Sequence, residues 1–331
     1  MDLRQLPKVE LHLHLDCSLS YAVVSRIDPS VSLAAYQRDF IAPARCTNLA
    51  DFLTRAPQAI ALMQTESQLR LVTEDVFAQL ARDNVVYAEI RFAPLFHTEK
   101  GLTPREVVAI VEAAADDAAK ATGIEARLIL CTLRHFDEAQ SLETVRLVEA
   151  FRGTRVAGFD IAGDEAGYPI DAHVAAFHYA RDRRIPCTAH AGEARGAPSV
   201  WETLDRFHPA RIGHGVRSSE DAALLDYLRA RNIHLEACPT SNLQTNMYAD
   251  YADHPIDRLY RSGVSVGVNT DTRTITHITL TEEYAKLSQT FGWGAEQFLR
   301  CNTNALQAAF IADDVREGLL RRLRAGYAGL S

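Results

Sequence analysis

Short apolar runs alternate with longer amphipathic stretches along this chain. The runs are Val9–Leu15, Val85–Phe92, Ala126–Leu133, Val156–Ala162, Cys187–Ala191, Arg211–His214, His234–Cys238 and Val264–Asn269. Most are rich in β-branched and aliphatic residues, as expected of strands buried on both faces of a parallel sheet. Helical patterns lie between them. Thr103-Pro104-Arg105-Glu106 has an N-cap, a first-turn proline and a third-position Glu, and opens a helix running to Lys120. Ser218-Ser219-Glu220 is expected to start another, with Leu224, Leu225 and Leu228 at helical spacing. Gly123 and Gly263 stand just past helical stretches, where a left-handed residue ends a helix most easily.

Eight strands with intervening helices either close as a (β/α)8 barrel or open as a doubly wound sheet. No GxGxxG follows the first strand and no Walker loop occurs, so the count favours an α/β barrel of TIM type. No linker or low-complexity stretch divides residues 1–331, which predicts one barrel domain. Its first strand-to-helix connection is long, about 21–62, with helix expected around Leu49–Leu62; such an insertion would lie over the catalytic face as a lid.

Length and composition fit a soluble globular chain of 331 residues, 47% hydrophobic and 24% charged. Thirty-five Lys and Arg against 43 Asp and Glu give a net charge of −8, which disfavours nucleic acid as a partner. The one basic cluster, Arg181-Asp182-Arg183-Arg184, ends a helical stretch, where cations suit the helix dipole. No apolar run approaches 18 residues, so no membrane partner is expected. The six cysteines form no CxxC pair and several sit in apolar runs, which predicts a reduced, cytoplasmic protein. Oligomeric state is not legible.

The strand ends carry the chemistry. The first ends His12-Leu13-His14-Leu15-Asp16, and period-two alternation points His12 and His14 to one side. The fifth ends His190-Ala191-Gly192-Glu193, the sixth Gly213-His214-Gly215 and the eighth Asn269-Thr270-Asp271. Three histidines and a carboxylate at one barrel mouth make a sensible Zn²⁺ site with room for water. His97, His173, His178, His208, His234, His254 and His277 read as core histidines with satisfied hydrogen bonds.

With these motifs the chain resembles the adenosine deaminase family of metal-dependent barrel hydrolases, nearly end to end. Pro7-Lys8-Val9-Glu10-Leu11-His12-Leu13-His14-Leu15-Asp16, Tyr87-Ala88-Glu89-Ile90-Arg91-Phe92, Asp160-Ile161-Ala162-Gly163-Asp164-Glu165, HAGE, GHG and NTD carry the resemblance. It implies one zinc per chain held by His12, His14, His190 and Asp271. It also implies that Glu193 protonates purine N1, and that His214 orients and helps deprotonate the attacking water. The Gly163 N–H would donate to N3, and Asp16 would hold the ribose 5′-hydroxyl. A zinc ion makes water nucleophilic at neutral pH, and a carboxyl in a dry pocket keeps its proton, so the roles are chemically coherent. The implied substrate is a small purine nucleoside.

Two residues depart from the family pattern. Cys17 stands where a Gly or similarly small residue is usual, beside Asp16, and Thr272 stands where Asp or Asn contacts N7. The segment after Phe52-Leu53 also lacks the usual aromatic pattern. These departures keep open a modified or 5′-substituted adenine nucleoside, of aminodeoxyfutalosine or natural-product type. A catalytically silent, metal-binding scaffold is the alternative from another class.

Overall fold

A computed structural model describes residues 2–329; Met1, Leu330 and Ser331, at the ends of the expected 1–331 domain, lie outside the described residues. The strands are β1 Lys8–His14, β2 Val85–Phe92, β3 Glu125–Leu133, β4 Val156–Ala162, β5 Thr188–Ala191, β6 Arg211–His214, β7 His234–Ala237 and β8 Val266–Val268. Their order is β1-β2-β3-β4 in one four-stranded sheet and β5-β6-β7-β8 in the other, every pair parallel. Single bridges join the sheets at Phe159–Cys187 and Leu13–Asp271. The result is the expected α/β barrel.

The β1/β8 seam is stitched by side chains. Asn269 Oδ1 accepts from the Leu11 and His12 N–H groups at 2.8 and 3.1 Å, and Asn302 Oδ1 accepts from Val9 N at 2.7 Å. Glu10 accepts from Thr270 N at 2.9 Å. These bonds satisfy backbone groups that the short β8 leaves unpaired.

Local sequence explains most of the helix ends. Thr103 and Glu106 form the expected capping box, and the helix runs Pro104–Thr122 before Gly123 ends it at φ +70°. The helix expected at Ser218 begins later. Val216–Glu220 is a 3-10 turn, and the α-helix Ala222–Arg231 is capped by Asp221, whose carboxylate accepts from Ala223 N at 2.9 Å. The helix expected around Leu49–Leu62 is two, Leu49–Leu53 and Ala56–Ile60. Pro57 has no N–H and its ring would clash with the carbonyl of Leu53, so it starts the second helix instead of continuing the first.

Candidate active site and metal centre

Ladder register sets the centre of the site. His190 pairs with Gly213 and Ala191 with His214 across β5 and β6. A Cβ at Gly213 would come within 3.0 Å of His12 Cε1 and 3.2 Å of the His190 ring, so glycine lets the two imidazoles meet. His214 and Asp271 both take left-handed backbone, φ +57° and +67°, a conformation that costs a non-glycine residue and turns each side chain inward.

His12, His190, His214 and Asp271 offer ligand atoms all within 4.8 Å of one another. His14 completes the ring: its Nε2 lies 3.2 Å from His190 Nε2 and 3.5 Å from Asp271 Oδ1. Ser241 Oγ donates to Asp271 Oδ2 at 2.7 Å, which turns Oδ1 toward His12 and His14. Behind the histidines stand carboxylates. Glu236 Oε2 lies 2.9 Å from His12 Nδ1, and Asp160 lies 3.1–3.2 Å from His190 Nδ1. A carboxylate only accepts, so each Nδ1 carries the proton and each Nε2 lone pair faces the centre.

These groups are buried, except for the partly exposed His14. Arg91 spans Asp160 and Glu236 at 2.6 and 2.7 Å, and Arg211 joins Glu236 to Glu89. Burial alone would raise the Asp160 carboxyl, but His190 and Arg91 hold it well below the usual range. Two guanidinium groups thus face three carboxylates, and Asp271 adds another negative group. A divalent cation fits this donor set: it would neutralise the excess charge and occupy the His12 Nε2 lone pair, which has no hydrogen-bond partner among the described residues.

The comparisons with known proteins agree with this geometry. Residues 7–325 match the family model described as adenosine deaminase. The chain belongs to the adenosine deaminase family. It is 35% identical to the adenosine deaminase of Enterococcus faecalis, covering 98% of each chain, and 40% identical to that of Mycobacterium ulcerans, covering 95% and 93%. Among solved structures, the adenine deaminase of Arthrobacter aurescens superposes with a TM-score of 0.89 at 25% identity, covering 97% of this chain and 98% of that one. The family and its structural neighbours are hydrolytic deaminases, and so is this chain.

In this deaminase a cavity of about 410 Å³ opens above the cluster. Glu193, Asp16, Gly163 and Thr272 all line it. Burial pushes the Glu193 carboxyl up to about 8, so it carries a proton at neutral pH; its Oε2 is 3.1 Å from His214 Nε2. Burial likewise lifts Asp16 to about 6, and its Oδ2 accepts from Ala93 N at 3.2 Å. Gly163 takes φ +101° at the end of β4. Thr272 Oγ1 is buried without a hydrogen-bond partner among the described residues. Cys17 reaches the cavity wall and also packs with Ala42, Cys46, Leu49, Phe52 and Ile275 beneath the insertion; burial drives its thiol pKa well up. Leu49, Phe52, Leu53, Ala56, Pro57 and Ile60 place the insertion across the mouth.

Sequence reasoning assigned no role to Glu165, Glu236, Arg91, Ser241 or Asn242. Glu165 holds the loop that carries Glu193, accepting from Gly192, Glu193, Ala194 and Arg195 N–H groups at 2.6–3.0 Å and from Ser199 Oγ at 2.6 Å. The available signal was a charge inside an apolar run, as in His234-Leu235-Glu236-Ala237.

Proposed function

We propose that this deaminase removes the 6-amino group of adenosine or a close adenine nucleoside, with water as co-substrate and ammonia and the 6-oxo nucleoside as products. The observation that carries this reading is the convergence of a protonated acid, Glu193, with the histidine–aspartate donor set on the floor of one cavity. The 35–40% identical relatives named adenosine deaminase support it. His12, His14, His190 and Asp271 would hold one zinc ion. When bound, zinc supplies the Lewis acidity that makes water nucleophilic at neutral pH.

The chain's own residues do the rest. Glu193 gives its proton to N1, so the ring accepts electrons as C6 becomes tetrahedral. His214, whose Nε2 lies 3.1 Å from Glu193 Oε2, contacts the nucleophile oxygen. The Gly163 N–H donates to N3, Asp16 holds the 5′-hydroxyl, and the Thr272 hydroxyl meets the N7 edge. Closure of the apolar insertion keeps bulk water from the reacting carbon. The six described cysteines are free and no described helix is long and apolar enough to cross a membrane, which supports a reducing, cytoplasmic setting.

A nucleoside fits better than a nucleotide. Asp16, Glu99 and Asp164 line the cavity, and among the described residues no Lys or Arg does, so a phosphate would meet repulsion and no counter-charge. One observation favours a modified base as a second reading: the unpartnered Thr272 hydroxyl is a short, neutral group that leaves the N7 edge loosely held. The scaffold alternative loses support because Glu193 and His214 stand beside the donor set.

A substrate panel tests the assignment. Adenosine and 2′-deoxyadenosine should exceed AMP and adenine in kcat/KM by about 100-fold or more, the loss expected when a buried polar group is left unpaired or faces like charge. Preference for AMP or adenine would overturn it, and preference for 7-deaza or 5′-substituted analogues would select the second reading.

A further inference from the structure

A chain of buried polar groups leads away from His214 on the side opposite the cavity. Asn242, on the helix Pro239–Gln244, lies between His214 and His254, and all three are at most 2% exposed. We infer that Asn242 and His254 fix the neutral His214 imidazole with its proton on Nε2, making it a hydrogen-bond donor at the reacting centre and not a metal ligand. The inference deepens the deaminase reading and rests on it for the role, though not for the proton's position.

The argument starts from a backbone group, whose direction is not in question. Ile256 N–H donates to His254 Nδ1 at 3.2 Å. His254 Nδ1 is therefore an acceptor, and the ring, held neutral by burial with its pKa near 3, carries its proton on Nε2. That N–H meets Asn242 Oδ1 at 3.1 Å, which fixes the amide orientation. The other end agrees: Asn242 Nδ2 is 3.6 Å from Met247 Sδ, and a thioether can only accept. The remaining Nδ2 hydrogen points to His214 Nδ1 at 3.1 Å. His214 Nδ1 is thus an acceptor, and the proton of the neutral ring sits on Nε2. Glu193 Oε2 lies 3.1 Å from that Nε2 without forming a hydrogen bond to it, and no other described group takes the proton, so it is free to donate to the oxygen arriving at C6.

The contrast with its neighbours sharpens the point. His12 and His190 are backed by Glu236 and Asp160, acceptor-only groups that present Nε2 lone pairs to a cation. His214 is backed by an amide that donates. The tight quartet of ligand atoms includes His214, but a protonated Nε2 cannot ligate, which leaves His14 as the third histidine ligand. With its proton on Nε2 and its Nδ1 lone pair taken by Asn242, the neutral His214 has no free lone pair at the reacting centre to deprotonate water, so its resting role is to donate.

The substitution Asn242→Asp keeps the shape and reverses the relay. A carboxylate only accepts, so the His214 proton moves to Nδ1, while the His254 N–H keeps a partner. In zinc-loaded protein labelled with ¹⁵N-histidine, long-range ¹⁵N–¹H correlations should show His214, identified by its loss in His214→Gln, with pyrrole-type Nε2 and pyridine-type Nδ1. Asn242→Asp should exchange the two and lower kcat by about 10²–10⁴-fold with KM little changed, as a wrong tautomer does elsewhere. His254→Gln, which still offers an N–H to Asn242, should retain more kcat than His254→Ala. A pyridine-type Nε2 in the wild-type protein would overturn the inference, whatever the variants do. So would an Asn242→Asp protein with unchanged tautomer and kcat. If the wild-type Nε2 bears the proton but no nucleoside is deaminated, the relay stands and the substrate reading falls.

Discussion

At the residue scale, function depends on which atom of each side chain is free. Glu193 is held in its acid form by burial, and Asp271 is turned by Ser241 so that Oδ1 faces the histidines. Glu193→Gln keeps the shape and loses the transferable proton. It should lower kcat by about 10²–10⁴-fold while metal content, read by elemental analysis, stays at wild-type level. Unchanged turnover would remove Glu193 from the acid role. His12, His14, His190, Asp271 and Glu193 were legible in the sequence because each sits at the end of a recognisable strand. Glu236, Asn242 and His254 were not, because their meaning lies in contacts from other elements. His254 is an ordinary core histidine by sequence; only the paired Ile256 N–H and Asn242 Oδ1 reveal what it orients.

At the element scale, strands and loops fix those atoms in place. Strand identity was legible from apolar runs, and β2, β4 and β6 match the expected bounds. β8 is shorter than expected at both ends, Val266–Val268; Asn269 still donates its N–H to Ala237 O at 2.9 Å while its side chain bonds across to β1. The insertion split at Pro57, and the Ser218 start moved to Asp221, because a proline and a stronger cap each outweigh apolar spacing. The loop after β5 depends on one side chain. Glu165→Gln replaces two acceptor oxygens with one, leaving backbone N–H groups near Glu193 unpaired. It should cost about 1–3 kcal/mol of stability and lower kcat, with the metal retained. A variant melting at the wild-type temperature with unchanged kcat would contradict that role.

At the scale of the whole molecule, the barrel interior is ionic where apolar runs led one to expect aliphatic packing. Glu10, Glu89, Arg91, Asp160, Arg211 and Glu236 are fully buried, each ion-paired with an opposite charge from another strand or, for Glu10, with Arg273 beyond β8. At the opposite end Lys8 is also buried, its Nζ donating to Leu6 O and Asp83 O at 2.9 and 2.8 Å. Burial lowers its pKa from 10.5 to about 8. Between these values the unfolded chain binds more protons than the folded one, so the Lys8 contribution to stability rises with pH. The unfolding free energy of wild type relative to Lys8→Met should therefore increase from pH 8 to pH 10; a flat difference would contradict the shift.

The central claim is that the buried histidine–aspartate cluster, loaded with a cation, drives hydrolytic deamination of an adenine nucleoside. The most direct measurement is the loss of adenosine absorbance on mixing with zinc-loaded protein, beside a chelator-treated sample and the same sample after zinc is restored. The account predicts conversion to inosine that chelation abolishes and zinc recovers. Conversion unaffected by complete metal removal, or no conversion of any adenine nucleoside by fully zinc-loaded protein, would contradict it.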